Sequence, residues 1–317
     1  MEAKSKGVHC LLAPTVCIQR HPLGGRNFET FSEDPYLSGK MAANLVNGLQ
    51  AEGVLATVKH FVANEQETER LTVDTRVSDR ALREIYLRPF EIVVKEANPA
   101  ALMTAYNKVN GEHMDSNAPL IQTVVRGQWG WGGLIMSDWG GTNSTVEALA
   151  AGLDLEMPGP TRWRNKDAIS AAIASGKLDE GTITQRARRV LEFLRRGNRF
   201  GNDETARDTP PFDEQTTEAL VREAGAKGIV LLKNEASILP LTRDKVKGKK
   251  VALLGYAKDC LAHGGGSAAV VAHHYTAVWD ALHTAFGDDV ELVYSKGQSH
   301  PVSHCINRMD KVADGGL

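Results

Sequence analysis

The chain is poor in cysteine and nearly without net charge, and each shortage removes a class of function. Thirty-seven basic side chains stand against 39 acidic ones, a formal balance of −2. That leaves no basic footprint for nucleic acid or for an anionic membrane surface. No apolar run approaches the ~20 residues that cross a bilayer, so no membrane partner is expected. Four cysteines, Cys10, Cys17, Cys260 and Cys305, are scattered without a CxxC pair. Cys10 and Cys17 lie on one extended stretch, too far apart for a relaxed bridge, and read as buried free thiols. The ten histidines, His273 and His274 among them, come without HExxH or Cys/His ligand spacing, so no metal is expected. Neither Gly130–Gly133 nor the triplet at Gly264 has the spacing of a phosphate-binding loop, and there is no GxSxG elbow. Met1 to Gly7 is polar and Val8 to Val16 lacks a charged flank and a cleavage site, so no signal peptide is expected there.

What is present is 317 residues, 42% hydrophobic, enough for a sizeable core in two domains. Short apolar runs alternate with helical periodicity. Strands are expected at Leu11 to Ile18, Val54 to Val62, Ala101 to Ala105, Leu134 to Met136 and Leu153 to Met157. Helices are expected at Pro35 to Leu49, Ser78 to Ala97, Asn117 to Trp129, Ser144 to Ala151, Lys166 to Ser175 and Thr182 to Arg196. Repeated βα units of this kind build a parallel sheet or barrel. Residues 197–214, rich in Gly, Asn and Asp with Pro210-Pro211, read as a linker. A second α/β pattern follows. It has a helix from Gln215 to Lys227, strands at Gly228 to Leu232, Val251 to Gly255 and Val290 to Tyr294, and a helix from Ala277 to Phe286. The tail from Ser299 to Leu317 has little periodicity.

The strand ends carry the chemistry. Lys59-His60, Tyr106-Asn107, Asp138-Trp139 and Glu156 each close an apolar run, and a barrel gathers such ends on one face. Asp138 with the donors Arg26, Lys59, His60 and Tyr106 and the indole of Trp139 suits a neutral polyhydroxylated ligand. Hydroxyls take charge-assisted bonds while a sugar's C–H face stacks on an aromatic ring. Plainer readings stay open for each residue. Asp138 also fits a helix cap or a solvated turn, and Arg26 has Glu29 and Asp34 in its own loop as partners. Lys59-His60 fits a solvated strand end, and Tyr106 a core phenol with a tethered hydroxyl.

Five segments in order resemble glycoside hydrolase family 3. They are PLGGRNFETFSEDP (Pro22 to Pro35), KHFVANEQETER (Lys59 to Arg70), LMTAYNKVNG (Leu102 to Gly111), GLIMSDW (Gly133 to Trp139) and GLDLEMPGP (Gly152 to Pro160). GIVLLKNEASILPL (Gly228 to Leu241) and GGGSA (Gly264 to Ala268) extend the likeness. The resemblance implies an α/β protein. Residues 1–196 would form a (β/α)8 TIM-like barrel lacking its first strands, and residues 215–298 a partial α/β sandwich domain. It implies a retaining β-glucosidase with Asp138 as nucleophile. Arg26, Lys59, His60 and Tyr106 would bind the sugar or orient the nucleophile, and Met103 and Trp139 would wall the pocket. No cofactor or metal is implied. The substrate would be a β-glucoside or cello-oligosaccharide. The loop Val62 to Gln66 lacks the histidine of the family's N-acetylglucosaminidases, which favours the glucosidase branch.

The chain also departs from the family pattern. An aspartate that clamps the sugar and the acid/base glutamate have no matching position, and the tail from Ser299 matches nothing. The expectation is therefore an incomplete β-glucosidase. The alternatives are a shortened sugar-binding product with weak turnover, or β-xylosidase-like specificity. The resemblance points to an extracellular protein, with a cytoplasmic one as the alternative, and is silent on oligomeric state.

Overall fold

A computed structural model describes residues 2–199, 213–259, 265–269 and 275–297. Most of the expected linker, the whole tail, Gly264 and the His273-His274 pair lie outside these residues. The chain divides into two compact units, Met1–Phe212 and Asp213–Leu317.

The first unit is built on four parallel strands, β1 (Cys10–Leu11), β2 (Leu55–Phe61), β3 (Ala101–Thr104) and β4 (Leu134–Ser137), side by side in chain order. A single parallel bridge from Met136 to Leu155 continues the series. Spatial order that follows chain order, with a helix in each crossover, is the wall of a β/α barrel. The helices are α1 (Pro35–Ala51), α2 (Arg88–Ala97) and α3 (Pro119–Gln128). Asp34 caps α1 by accepting from the backbone N–H groups of Tyr36 and Leu37 at 2.7 and 3.3 Å, with Pro35 at the first helical position. Gly39 lets α1 and α2 approach closely, since a Cβ there would meet Ile92 at 2.8 Å. The helical stretch before α2 starts at Ser78, whose hydroxyl accepts from Ala81 N–H, and carries a π-type turn at Leu82–Tyr86.

The pleat of the strands divides the apolar residues between two faces. Val58, Phe61, Leu102 and Ile135 join the large core under the helices, where Phe61 meets Phe90 and Trp129 edge to face. Ala101, Met103, Leu134 and Met136 face the other way and pack with Leu12, Leu155, Met157, Val190 and Phe193. Helices α4 (Val146–Ala151), α5 (Lys166–Ala174) and α6 (Glu180–Arg196) close the unit. Arg196 donates to the carbonyls of Asn98 and Pro99, and Arg189 to that of Gly132, which fastens α6 across the N-terminal ends of β3 and β4.

Two expected strands are shorter in the structure. Leu11 to Ile18 keeps pairing only at β1 and one bridge at Thr15, because Pro14 has no N–H for the ladder. Leu153 to Met157 contributes the bridge at Leu155. Asp154 and Leu155 both donate their N–H groups to the Ile135 carbonyl, and that shared acceptor ends regular pairing.

In the second unit, helix α7 (Glu214–Gly228) precedes a parallel pair, β5 (Lys249–Leu254) and β6 (Val290–Ser295), with α8 (Val278–Phe286) before β6. Val246, Phe286 and Val290 form its small core with Leu241, Val251, Leu282 and Leu292. Gly228 to Leu232 forms no strand. Its side chains are exposed, Leu232 by 92%, because no described strand pairs with it. The strand expected at Val251 to Gly255 does form, as β5, but its side chains alternate between half-buried and exposed, and Leu254 is exposed.

Candidate active site

β4 ends at Ser137, and Asp138 continues the face that carries Leu134 and Met136. Its carboxylate is nearly buried and has two differently occupied oxygens. Oδ1 accepts from the Trp139 N–H at 2.7 Å, whereas Oδ2 lies 3.4 Å from His60 Nε2. That imidazole nitrogen is also 3.0 Å from Arg26 Nη1. Burial, then the charges of Arg26, Lys59 and Arg70, hold His60 well below the ordinary imidazole range, so the ring is neutral. A neutral ring nitrogen either accepts or donates. The shorter contact to a guanidinium that can only donate makes Nε2 an acceptor, which leaves Asp138 Oδ2 without a donor from His60.

Arg26 comes from the 19–34 loop, which is internally tied. Gln19 Nε2 donates to the carbonyls of Asn27 and Thr30 at 3.2 Å, and Asn27 Nδ2 to that of His21 at 2.7 Å. Glu29 in the same loop takes the Arg26 Nε–H, accepts from the Thr15 hydroxyl at 2.9 Å and stands 3.9 Å from Lys59 Nζ. Burial lowers the Lys59 pKa while Glu29 opposes the effect. Tyr106 donates its hydroxyl to the Trp139 carbonyl at 2.8 Å. Burial and then the neighbouring Asp138 charge raise its pKa, so it stays a phenol. The Trp139 indole is 43% exposed and free to stack.

Asp138, His60, Arg26, Lys59 and Tyr106 are thus brought together, with Trp139 at the edge. Met103 is 2% exposed and packed in the apolar layer with Leu134 and Met136, so it supports the site from within the wall. Glu156 turns to a different task. Its carboxylate accepts the backbone N–H groups of Arg162, Trp163 and Arg164 at 2.8 to 3.2 Å, closing the 156–164 loop. Sequence reasoning did not single out Arg70, although it ends a quoted motif. Its guanidinium lies 4.9 Å from the Tyr106 ring centroid and donates to Glu67 at 2.7 Å. Nor did it weigh Asp154, which no motif marks as more than one acidic residue of GLDLEMPGP.

A cavity of about 600 Å³ opens between loops 20–25 and 63–68. A larger one, about 790 Å³, lies at the other end of the strands beside Trp129, Gly132 and Arg189, away from Asp138. Neither lining includes Arg26, Lys59, His60, Tyr106 or Asp138. Among the described residues, no group of three His, Cys, Asp or Glu side chains is placed to hold a metal, and no helix is long and apolar enough to cross a membrane.

The family model for the glycosyl hydrolase family 3 N-terminal domain matches residues 1–193, and that for the C-terminal domain matches residues 229–313. The chain belongs to glycosyl hydrolase family 3. Beta-glucosidase B of Emericella nidulans is 58% identical over 313 residues, covering 99% of this chain and 36% of the relative. Among solved structures of the family, the Kluyveromyces marxianus beta-glucosidase in complex with glucose aligns with a TM-score of 0.85 at 39% identity, covering 95% of this chain and 37% of that one. Beta-glucosidase 3B from Thermotoga neapolitana, also with glucose, gives 0.81 at 38% identity, covering 98% and 42%. The chain therefore spans little more than a third of the length of the curated relatives it matches. The α/β architecture expected from the βα pattern agrees with these family 3 structures.

Proposed function

We propose that the protein carrying this chain is a retaining β-glucosidase in which Asp138 is the nucleophile. The observation that supports this most directly is the Asp138 carboxylate inside a charge-balanced ring, with no donor from the neutral His60 on Oδ2 and the Tyr106 hydroxyl beside it. Arg26, Lys59 and Arg70 face Asp138, Glu29 and Glu67, with a neutral His60 between them. Three cations against three carboxylates suit a neutral ligand, and the cations supply donors for its hydroxyls. The likeness to beta-glucosidases, two of them solved with glucose, supports a β-glucoside as substrate.

In this reading Asp138 Oδ2 attacks the anomeric carbon as the glycosidic C–O bond breaks, the aglycone oxygen leaves with a proton from the general acid, and a glycosyl ester forms, while the Trp139 N–H holds Oδ1 and so orients the carboxylate. The Tyr106 hydroxyl, whose oxygen is 2.8 Å from that of the Trp139 carbonyl, can turn its proton toward the carboxylate as its charge redistributes. Trp139 offers its indole to the sugar face. The carboxylates Glu29, Glu67 and Glu156 are each committed to other partners, so the acid/base comes from a residue outside this set. A 2-deoxy-2-fluoroglucoside with a dinitrophenolate leaving group tests the reading, because that leaving group departs without a general acid. Mass mapping is expected to find the label on the peptide containing Asp138, and label on another residue, or none, would refute the assignment.

A further inference from the structure

Among the described residues, Glu29 is the carboxylate that reaches both cations flanking His60. It takes the Arg26 Nε–H on Oε1, while Oε2 faces Lys59 Nζ at 3.9 Å. The Thr15 hydroxyl, bridged into the sheet beside Lys59, fixes Oε2 from behind at 2.9 Å. Arg26 in turn reaches His60 Nε2 through Nη1. The Glu29 side chain is 17% exposed and that of Lys59 is 13% exposed, so neither charge is well solvated. We propose that Glu29 is a positioning residue: it sets the geometry and charge of Arg26 and Lys59, the two cations that meet the sugar's hydroxyls, without itself touching the sugar.

Two effects follow from the chemistry. Removing the carboxylate leaves Arg26 free to rotate away from His60, and it leaves Lys59 beside Arg26 with less to offset its burial. The groups that act on Lys59 are Arg26, Glu29, Asp138 and the Cys17 thiol. Cys17 is buried and its thiol pushed well up, so it stays neutral. Among the described groups that act on Lys59, Asp138 is then the remaining anion, and it is itself held by the Trp139 N–H and flanked by His60 and Tyr106. Lysine 59 should therefore lose its proton at lower pH once Glu29 is neutralised.

The functional part of this inference rests on the glucosidase reading, but its physical core does not. Lysine 13Cε NMR titration of the chain, with Lys59 assigned by Lys59→Arg, compares wild type with Glu29→Gln. The midpoint of Lys59 is expected to fall by about 1–2 pH units, as for the loss of an opposite charge about 4 Å away. Glu29→Asp should recover part of the shift. Thr15→Val, which keeps the charge but removes its anchor, should give a smaller fall, and it serves as the test if Glu29→Gln does not fold. An unchanged Lys59 midpoint in these variants would overturn the proposal. In parallel, glucose affinity should drop by about 10-fold or more in Glu29→Gln, with its alkaline limit displaced to lower pH together with Lys59. A shifted Lys59 with unaltered glucose binding would overturn the positioning role. Failure of the fluoroglucoside to label wild-type Asp138, with the Lys59 shift intact, would instead count against the glucosidase reading alone.

Discussion

Asp154 holds the first unit together at the root of β4, and its replacement by asparagine should be costly. The carboxylate is fully buried and accepts three bonds of 2.8 Å. Oδ2 takes Arg126 Nη2 and the Ile135 N–H, and Oδ1 takes Arg186 Nη1. An asparagine amide keeps the two bonds at the Oδ2 position if its nitrogen replaces Oδ1, and the NH2 group then faces Arg186. One charge-assisted bond is lost, about 1.5–3 kcal/mol. Two guanidinium groups also remain in a site with no anion, which brings the expected cost to about 3–5 kcal/mol. Arg126 lies over the Trp131 ring at 5.2 Å, so tryptophan fluorescence during urea unfolding reports the loss locally. Adding Arg186→Met should recover about 1–3 kcal/mol, because the pair is coupled. A loss below about 1 kcal/mol for Asp154→Asn, with no recovery in the double variant, would refute the view that this buried charge is a structural centre.

Burial, opposed by the Ile18 N–H and Arg20, pushes the Glu65 carboxyl up to about 8. The folded chain keeps that proton where the unfolded chain has lost it near pH ~4.3, so stability should fall as pH rises from there to about 8. In Glu65→Gln, about 2 kcal/mol of that decline should disappear in denaturant titrations at pH 5 and 9, a figure discounted for the solvent the side chain still meets. A Cβ at Gly133 would press on the Trp131 ring and approach the Ala100 carbonyl at 2.8 Å, so Gly133→Ala should destabilise by about 1–3 kcal/mol in thermal unfolding. Trp139→Ala should leave the melting temperature nearly unchanged, because the indole is exposed. Glucose affinity by calorimetry should fall about 2–10-fold, the worth of one aromatic contact.

The barrel wall was legible because each of its signals is local. The apolar runs at Leu55–Phe61, Ala101–Thr104 and Leu134–Ser137, and the helix start at Ser78, depend on neighbours a few residues away, whereas Asp34, read as a partner for Arg26, proved to be a cap. Lys59-His60, Tyr106 and Asp138 could likewise be picked out because each closes an apolar run, and Arg26 because it lies in a long polar loop; their residue types suggested a hydroxyl-rich ligand. Other features depended on partners distant in the chain. Gly228 to Leu232 has the composition of a strand, yet strand formation requires a neighbour, which composition does not report. Glu156 has the look of a catalytic carboxylate, and only the fold shows its oxygens filled by three backbone N–H groups. Glu29 and Arg70 meet Lys59 and Tyr106, dozens of residues away in the chain. The sequence by itself determined the family, the βα rhythm and the acid at the end of β4. Tertiary structure alone decided which charges meet, because Coulomb attraction and burial depend on distance in space, and chain spacing encodes that distance only within a helix turn or a strand.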